Sequence, residues 1–262
     1  MLIKANGIQM NYELSGRKDA PVVVLSHSLA SSLRMWDPQM DMLESHFRVL
    51  RYDTRGHGKS EAPAGAYTLE LLGEDAIGLL DGLGIDKVQW VGLSMGGMIG
   101  QCLALNHADR LKSLALCDTA AIVPAVAQPI WQERIDTARD KGLGALVEAT
   151  MERWFTPPFI IQGSKWLTLI RGEFLATPLP GYIGCSEAIR RLNYLDRLAA
   201  IKVPTLIIVG EDDPGTPVAA SEAIQSCIPH SRLIILKSAR HLSNVEQSEA
   251  FNAALLKFLK DL

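Results

Sequence analysis

Four stretches of this chain, PVVVLSHS (21–28), KVQWVGL (87–93), LKSLALCD (111–118) and PTLIIVGED (204–212), carry apolar residues at consecutive positions instead of alternate ones. A strand with one wet face alternates, so these runs call for burial on both faces, the condition of a mostly parallel sheet covered by helices on each side. IQMNYEL (8–14), FRVLRYD (47–53) and RLIILK (232–237) read as further strands. Between them lie segments whose apolar residues recur about every 3.6 positions: TLELLGEDAIGLLDGL (68–83), the stretch from Ser94 to about Ala108, residues 218–227, and SEAFNAALLKFLKDL (248–262). Strands alternating with helices predict an α/β sandwich.

The alternation fails once. From 121 to 197 there is no convincing strand, while Trp131, Trp154 and Trp166 cluster with the prolines of FTPPF and ATPLPG and with the helical pattern QPIWQERIDTARDKG. The expected organisation is a core built from residues 1–120 and 198–262, interrupted by a helical cap over 121–197. At 262 residues and 48% hydrophobic content the chain can fill one core and an insertion.

Several function classes drop out. Lys and Arg total 26 against 29 acids, a net charge of -3 with no basic block, so nucleic acid is not an expected partner. No stretch approaches the roughly 18 apolar residues of a membrane span. MLIKANGIQMNYELSG has charges where a signal peptide needs an apolar centre, which points to the cytoplasm. The four cysteines form no CxxC pair, the six histidines are scattered and no HExxH occurs, so no metal is expected. GHGKS has Asp53 where a phosphate-binding loop needs its first glycine, and GLSMGG lacks the spacing of a dinucleotide fold. No cofactor is expected.

The positive signal is WVGLSMGGMIG (90–100), where an apolar strand gives way to a helix at Ser94, with Gly92 and Gly96 two positions to either side. A nucleophile projecting from the top of a sheet needs such a tight turn, and side chains at the flanking positions would collide with the neighbouring elements. A serine there could also be a plain helix cap. What separates the two is a base and an acid to orient it. His241 follows the last strand in SARHLSNVEQ, and the acids Glu211, Asp212 and Asp213 follow the strand before it. Serine, acid and histidine thus all fall at the carboxyl ends of strands.

In this order YDTRGHGKS, VGLSMGG, GEDDPGTP and HLSNVEQ resemble the α/β-hydrolase superfamily over essentially the whole chain. Within it, HSLASSLRMWD, WFTPPF, TPLPGYIGCSEAIR and HLSNVEQ most resemble the 3-oxoadipate enol-lactonases. The resemblance implies an α/β-hydrolase fold with an inserted cap and a catalytic set of Ser94, His241 and Asp213 rather than Asp212. It also implies an oxyanion hole from the backbone N–H groups of Leu29 and Met95. Ser28 stands where the family usually has glycine and would put a hydroxyl near the substrate; His27 is expected to brace its loop. Arg240 stands where small residues are usual, and the sequence offers no reason for it.

The implied activity is hydrolysis of an enol-lactone to 3-oxoadipate during aromatic catabolism. The partner would be a small anionic lactone, whose carboxylate calls for a cation in the cap. Arg134 lies one helical turn after Trp131, so both can face the cleft, with Trp154 as an apolar wall. Serine at position 94 disfavours epoxide or haloalkane opening through an alkyl-enzyme ester. A carboxylesterase, a C–C hydrolase or a perhydrolase on the same scaffold are the alternatives, and a ligand receptor retaining the fold is a more distant one.

Overall fold

The computed structural model describes residues 1–261. Eight strands form one sheet: β1 (Leu2–Ala5), β2 (Ile8–Gly16), β3 (Val22–Ser26), β4 (Arg48–Tyr52), β5 (Val88–Leu93), β6 (Leu111–Cys117), β7 (Thr205–Gly210) and β8 (Arg232–Leu236). Their spatial order is β1-β2-β4-β3-β5-β6-β7-β8. The β1–β2 and β2–β4 pairs are antiparallel; every pair from β4 to β8 is parallel. All the parallel strands therefore point their carboxyl ends at one rim.

Burial on both faces, read from the apolar runs, is seen residue by residue. In β5, Val88 and Trp90 enter one core cluster, while Val91 and Leu93 enter the other. The first cluster is closed by α2 (Leu69–Gly82) and α3 (Met95–Asn106), the second by α1 (Asp37–Glu44) and α11 (Ser248–Lys260). Thr68 starts α2 by accepting the Leu71 N–H at 3.1 Å, which satisfies one of the orphan donors of the first turn.

The insertion between β6 and β7 holds α4 (Gln128–Lys141), α5 (Val147–Trp154), α6 (Pro157–Gln162), α7 (Lys165–Ala176) and α8 (Leu179–Arg190). Prolines sit in the first turns of α4, α6 and α8, where a missing N–H costs nothing. The two segments that enter and leave the cap pair with each other: Ile122 bridges Asn193, the Val123 N–H donates to Leu192 O at 3.0 Å, and the Tyr194 N–H to Ala121 O at 2.7 Å. α9 (Val218–Cys227) and α10 (Ser243–Glu246) complete the fold after β7 and β8. Two expected strands end sooner than their apolar runs suggest: β3 stops at Ser26 and β7 at Gly210, where the chain leaves the sheet to form loops over the rim. The last helix was expected to reach Leu262, which lies outside the described residues; α11 runs to Lys260. Among the described residues no helix is long and apolar enough to cross a membrane.

Candidate active site

Ser94 stands at the end of β5 with φ 54° and ψ -114°, outside the regions that non-glycine residues favour. Such a conformation costs about 1–3 kcal/mol and persists only where the surroundings impose it. Here they do so closely. The Ser94 N–H donates to Cys117 O at 2.8 Å, and Ser94 O accepts from Thr119 Oγ1 at 2.8 Å and from the N–H groups of Gly97 and Met98 at 2.9 and 3.0 Å. A Cβ on Gly92 would lie 2.1 Å from Gly96 O, and one on Gly96 would lie 2.1 Å from Ser26 O, so neither position admits a side chain. Among the described residues the Ser94 hydroxyl makes no hydrogen bond, and the residue lines a cavity of about 290 Å³ between sheet rim and cap.

His241 lines the same cavity. Its Nδ1 lies 2.8 Å from Asp213 Oδ2, which assigns the proton to Nδ1 and leaves Nε2 as the free acceptor. Asp213 is buried and richly supplied with donors: the N–H groups of Gly215 and Thr216 reach Oδ1 at 2.7 and 3.1 Å, and Thr216 Oγ1 reaches Oδ2 at 2.6 Å. Burial alone would push its carboxyl up. The attraction of His241 and these hydrogen bonds outweigh burial and hold it below the ordinary aspartate value. Asp212, the neighbouring acid, is exposed.

Ser28 and Leu29 also line the cavity, and Met95 opens α3 directly after Ser94. Among the described residues neither the Leu29 nor the Met95 N–H has a protein acceptor. Two histidines fix the loop that carries Leu29. His27 Nε2 accepts the Thr54 N–H at 2.9 Å while its Nδ1 donates to Ser28 O at 2.7 Å, and His57 Nε2 accepts the Ala30 N–H at 2.9 Å. Both rings are fully buried, with centroids 5.2 Å apart. Burial lowers both, His57 to about 3, so each is a neutral acceptor. The GHGKS loop braces the rim in turn: Asp53 accepts the Leu33 and Lys59 N–H groups, and Arg55 pairs bidentately with buried Asp75 at 2.6 Å.

The cap supplies the remaining wall. Trp131, Arg134, Trp154, Arg153, Phe174 and Tyr182 all line the cavity. The Arg134 guanidinium lies 5.1 Å from the Trp131 ring centre and, among the described residues, has no carboxylate partner. Among the described residues the Arg153 guanidinium donates to Thr150 Oγ1 alone, at 2.8 Å. Burial lowers both guanidiniums, and the charge of Arg134 adds to the effect on Arg153, which falls to about 10. Trp154 stacks on His241 at 6.4 Å and 29° and meets Phe174 edge-on.

Sequence reasoning gave no role to Thr216 or Tyr182 as lining residues, and held Arg153 only as one of three cap arginines, with Arg171 and Arg190, behind Arg134. Arg153 follows Arg134 on a different helix, and only the packing of α4 against the rest of the cap brings the two charges together. Arg240 acquires a reason. Its guanidinium donates to the backbone carbonyls of Glu152 and Phe155, and the Leu242 N–H donates to Trp154 O at 3.1 Å, so the backbone around His241 is bonded to the end of α5.

A model of the family described as alpha/beta hydrolase fold matches residues 21–248. The chain is 37% identical over 258 residues to 3-oxoadipate enol-lactonase 2 of Acinetobacter baylyi, covering 98% of this chain and 96% of that one. The crystal structure of the enol-lactonase from Burkholderia xenovorans LB400 superposes with a TM-score of 0.96 at 41% identity, covering 99% of this chain and 100% of that one. A carbamate hydrolase provisionally so named, RutD of Stutzerimonas stutzeri, is 32% identical over 258 residues, covering 96% of this chain and 97% of that protein.

Proposed function

The chain belongs to the α/β-hydrolase family and is a hydrolase, and from that premise we propose that it opens a carboxylated enol-lactone, 3-oxoadipate enol-lactone, through an acyl-enzyme on Ser94. His241 Nε2 takes the Ser94 proton while Asp213 holds the ring and offsets its charge. Ser94 Oγ attacks the lactone carbonyl, and the oxyanion is received by the N–H groups of Leu29 and Met95. Collapse breaks the ring C–O bond. The enolate oxygen leaves with the His241 proton, and the enol becomes a ketone. Water, deprotonated by His241, then cleaves the Ser94 ester and frees the second carboxylate of the product. Such a role belongs to aromatic catabolism in the cytoplasm.

The observation that carries the choice of substrate is the pair of half-buried guanidiniums on the cavity wall, Arg134 and Arg153, which have no carboxylate partner among the described residues. Two like charges withdrawn from water are costly unless an anion completes the site. A lactone with a pendant carboxylate supplies one at the distance of a small molecule. The likeness to RutD favours a second reading, a carbamate, which the same serine chemistry would cleave. The deciding experiment compares kcat/KM of the wild-type enzyme for the anionic enol-lactone, its neutral methyl ester and a simple carbamate. The proposal expects the anionic lactone to lead by at least about tenfold, the worth of one charge-assisted contact. Equal rates for lactone and methyl ester would return the protein to the carboxylesterases, and a leading carbamate would replace the lactone.

A further inference from the structure

One buried acid takes no part in the chemistry just described. Asp118 is fully buried at the end of β6, with φ 43° in the left-handed region that a non-glycine residue enters at a cost. Because β6 lies between β5 and β7, residues 117–119 leave the sheet between the nucleophile's turn and the acid's loop. They touch both. Cys117 O and Thr119 Oγ1 hold the backbone of Ser94, each at 2.8 Å, and the Asp118 N–H donates to Ile208 O at 2.8 Å. The Asp118 carboxyl then spans two further elements: Oδ1 accepts the Gly210 N–H at 2.8 Å, and Oδ2 lies 2.5 Å from Ser243 Oγ. Gly210 opens the loop that carries Asp213, and Ser243 follows His241 by two residues.

We propose that Asp118 is a positioning residue, a clamp that fixes the loop of the orienting acid against the start of the helix behind the base, and so sets the His241–Asp213 hydrogen bond. Its protonation state fits that task. Burial first, then the charge of Asp213, push the Asp118 carboxyl well above the ordinary value, against the opposing pull of its two hydrogen bonds. The less negative charge the clamp carries, the less it opposes the carboxylate of Asp213 nearby.

The inference rests on the reading of Ser94, Asp213 and His241 as a catalytic set, so its test includes a measurement that needs no turnover. Wild type, Asp118→Ala, Asp118→Asn and Ser243→Ala are compared by kcat per site titrated with a serine-directed phosphonate, by KM, and by the low-field proton resonance of the His241 Nδ1–H. Asp118→Ala should lose at least about tenfold in kcat per titrated site with KM within about twofold, because a small misplacement of the base acts on the chemical step. Its low-field resonance should vanish by exchange. Asp118→Asn, whose amide can accept from Gly210 and donate to Ser243, should recover most of the rate and the resonance. Ser243→Ala should show a smaller loss of the same kind. A wild-type rate per titrated site in Asp118→Ala, an Asn variant as impaired as the Ala variant, or an unaffected Ser243→Ala would each overturn the clamp. If Asp118→Ala does not fold, the other two variants decide alone. A wild-type protein that hydrolyses nothing would overturn the hydrolase chemistry instead, and the resonance would still report on Asp118.

Discussion

Asp213 and Arg134 are both charged groups drawn out of water around one cavity, yet their surroundings treat them in opposite ways. Asp213 receives hydrogen bonds from His241, Thr216 and Gly215 before any ligand arrives. Among the described residues Arg134 meets the face of an indole, and Arg153 one hydroxyl, and neither has a carboxylate partner. The sheet rim is thus electrostatically complete and the cap is not. Preorganised charge suits the reacting atoms, where reorganisation slows the chemical step. Uncompensated charge suits recognition, where the ligand itself supplies the missing partner.

The largest effects should come from the completed side. Ser94→Ala is expected to remove turnover by about four to six orders of magnitude, with thermal unfolding close to wild type, and a phosphonate should label Ser94 in the parent protein once and nowhere else by mass spectrometry. Labelling at another residue would break the contrast at its root. Asp213→Asn should cost about four orders of magnitude in kcat, since His241 would lose the acceptor that sets its tautomer, while exposed Asp212→Asn should stay within about twofold. Steady-state kinetics of the two variants decides this, and equal small losses would leave the rim without an orienting acid.

The incomplete side should give smaller but selective losses. Arg134→Ala and Arg153→Ala are each expected to reduce kcat/KM for the anionic lactone by about tenfold to a hundredfold, and to leave a neutral ester nearly unchanged. Parallel losses on both substrates would make the arginines structural and erase the distinction between rim and cap.

The smallest effect is on stability. His57 has a folded pKa lowered from 6.5 to about 3, so between those values the unfolded chain binds the proton and the folded one does not. Stability should therefore fall as pH drops below about 6.5, by up to about 1.4 kcal/mol per pH unit for this group. Melting curves from pH 7 to 5 should show the decline. His57→Gln, which keeps an acceptor for the Ala30 N–H, should flatten it, and an unchanged slope would show that other groups carry the acid sensitivity.

The same contrast explains what could be read in the sequence. Rim residues were legible because strands put chemistry at predictable places: Ser94 and His241 each follow an apolar run, and the two glycines around Ser94 record a close approach in which an added Cβ would lie 2.1 Å from a backbone oxygen. The choice of Asp213 among three successive acids came from resemblance, with weak support from its place further into the loop, and the structure separates them by burial, with Glu211 and Asp212 exposed. In the cap, the spacing of Trp131 and Arg134, one turn apart on one helix, and the tryptophan at 154 were legible, and all three line the cavity. Nothing in the sequence set Arg153 apart from Arg171 and Arg190, because its approach to Arg134 depends on how separate helices pack. β1 and α1 went unread for a plainer reason: at four and eight residues they are too short for a period to emerge. Asp118 was hidden inside an apolar run that reads simply as strand.

The bonds from Arg240 and Leu242 to the carbonyls at the end of α5 have a mechanical consequence. If α5 swung outward, it would pull on the backbone that seats the His241 imidazole, so displacement at that edge is coupled to the placement of the ring. Among the described residues the start of α4 carries no such bonds to the backbone around His241, and there Ile130 borders the cavity half in solvent. Displacement at that edge would leave the ties between α5 and the His241 backbone in place.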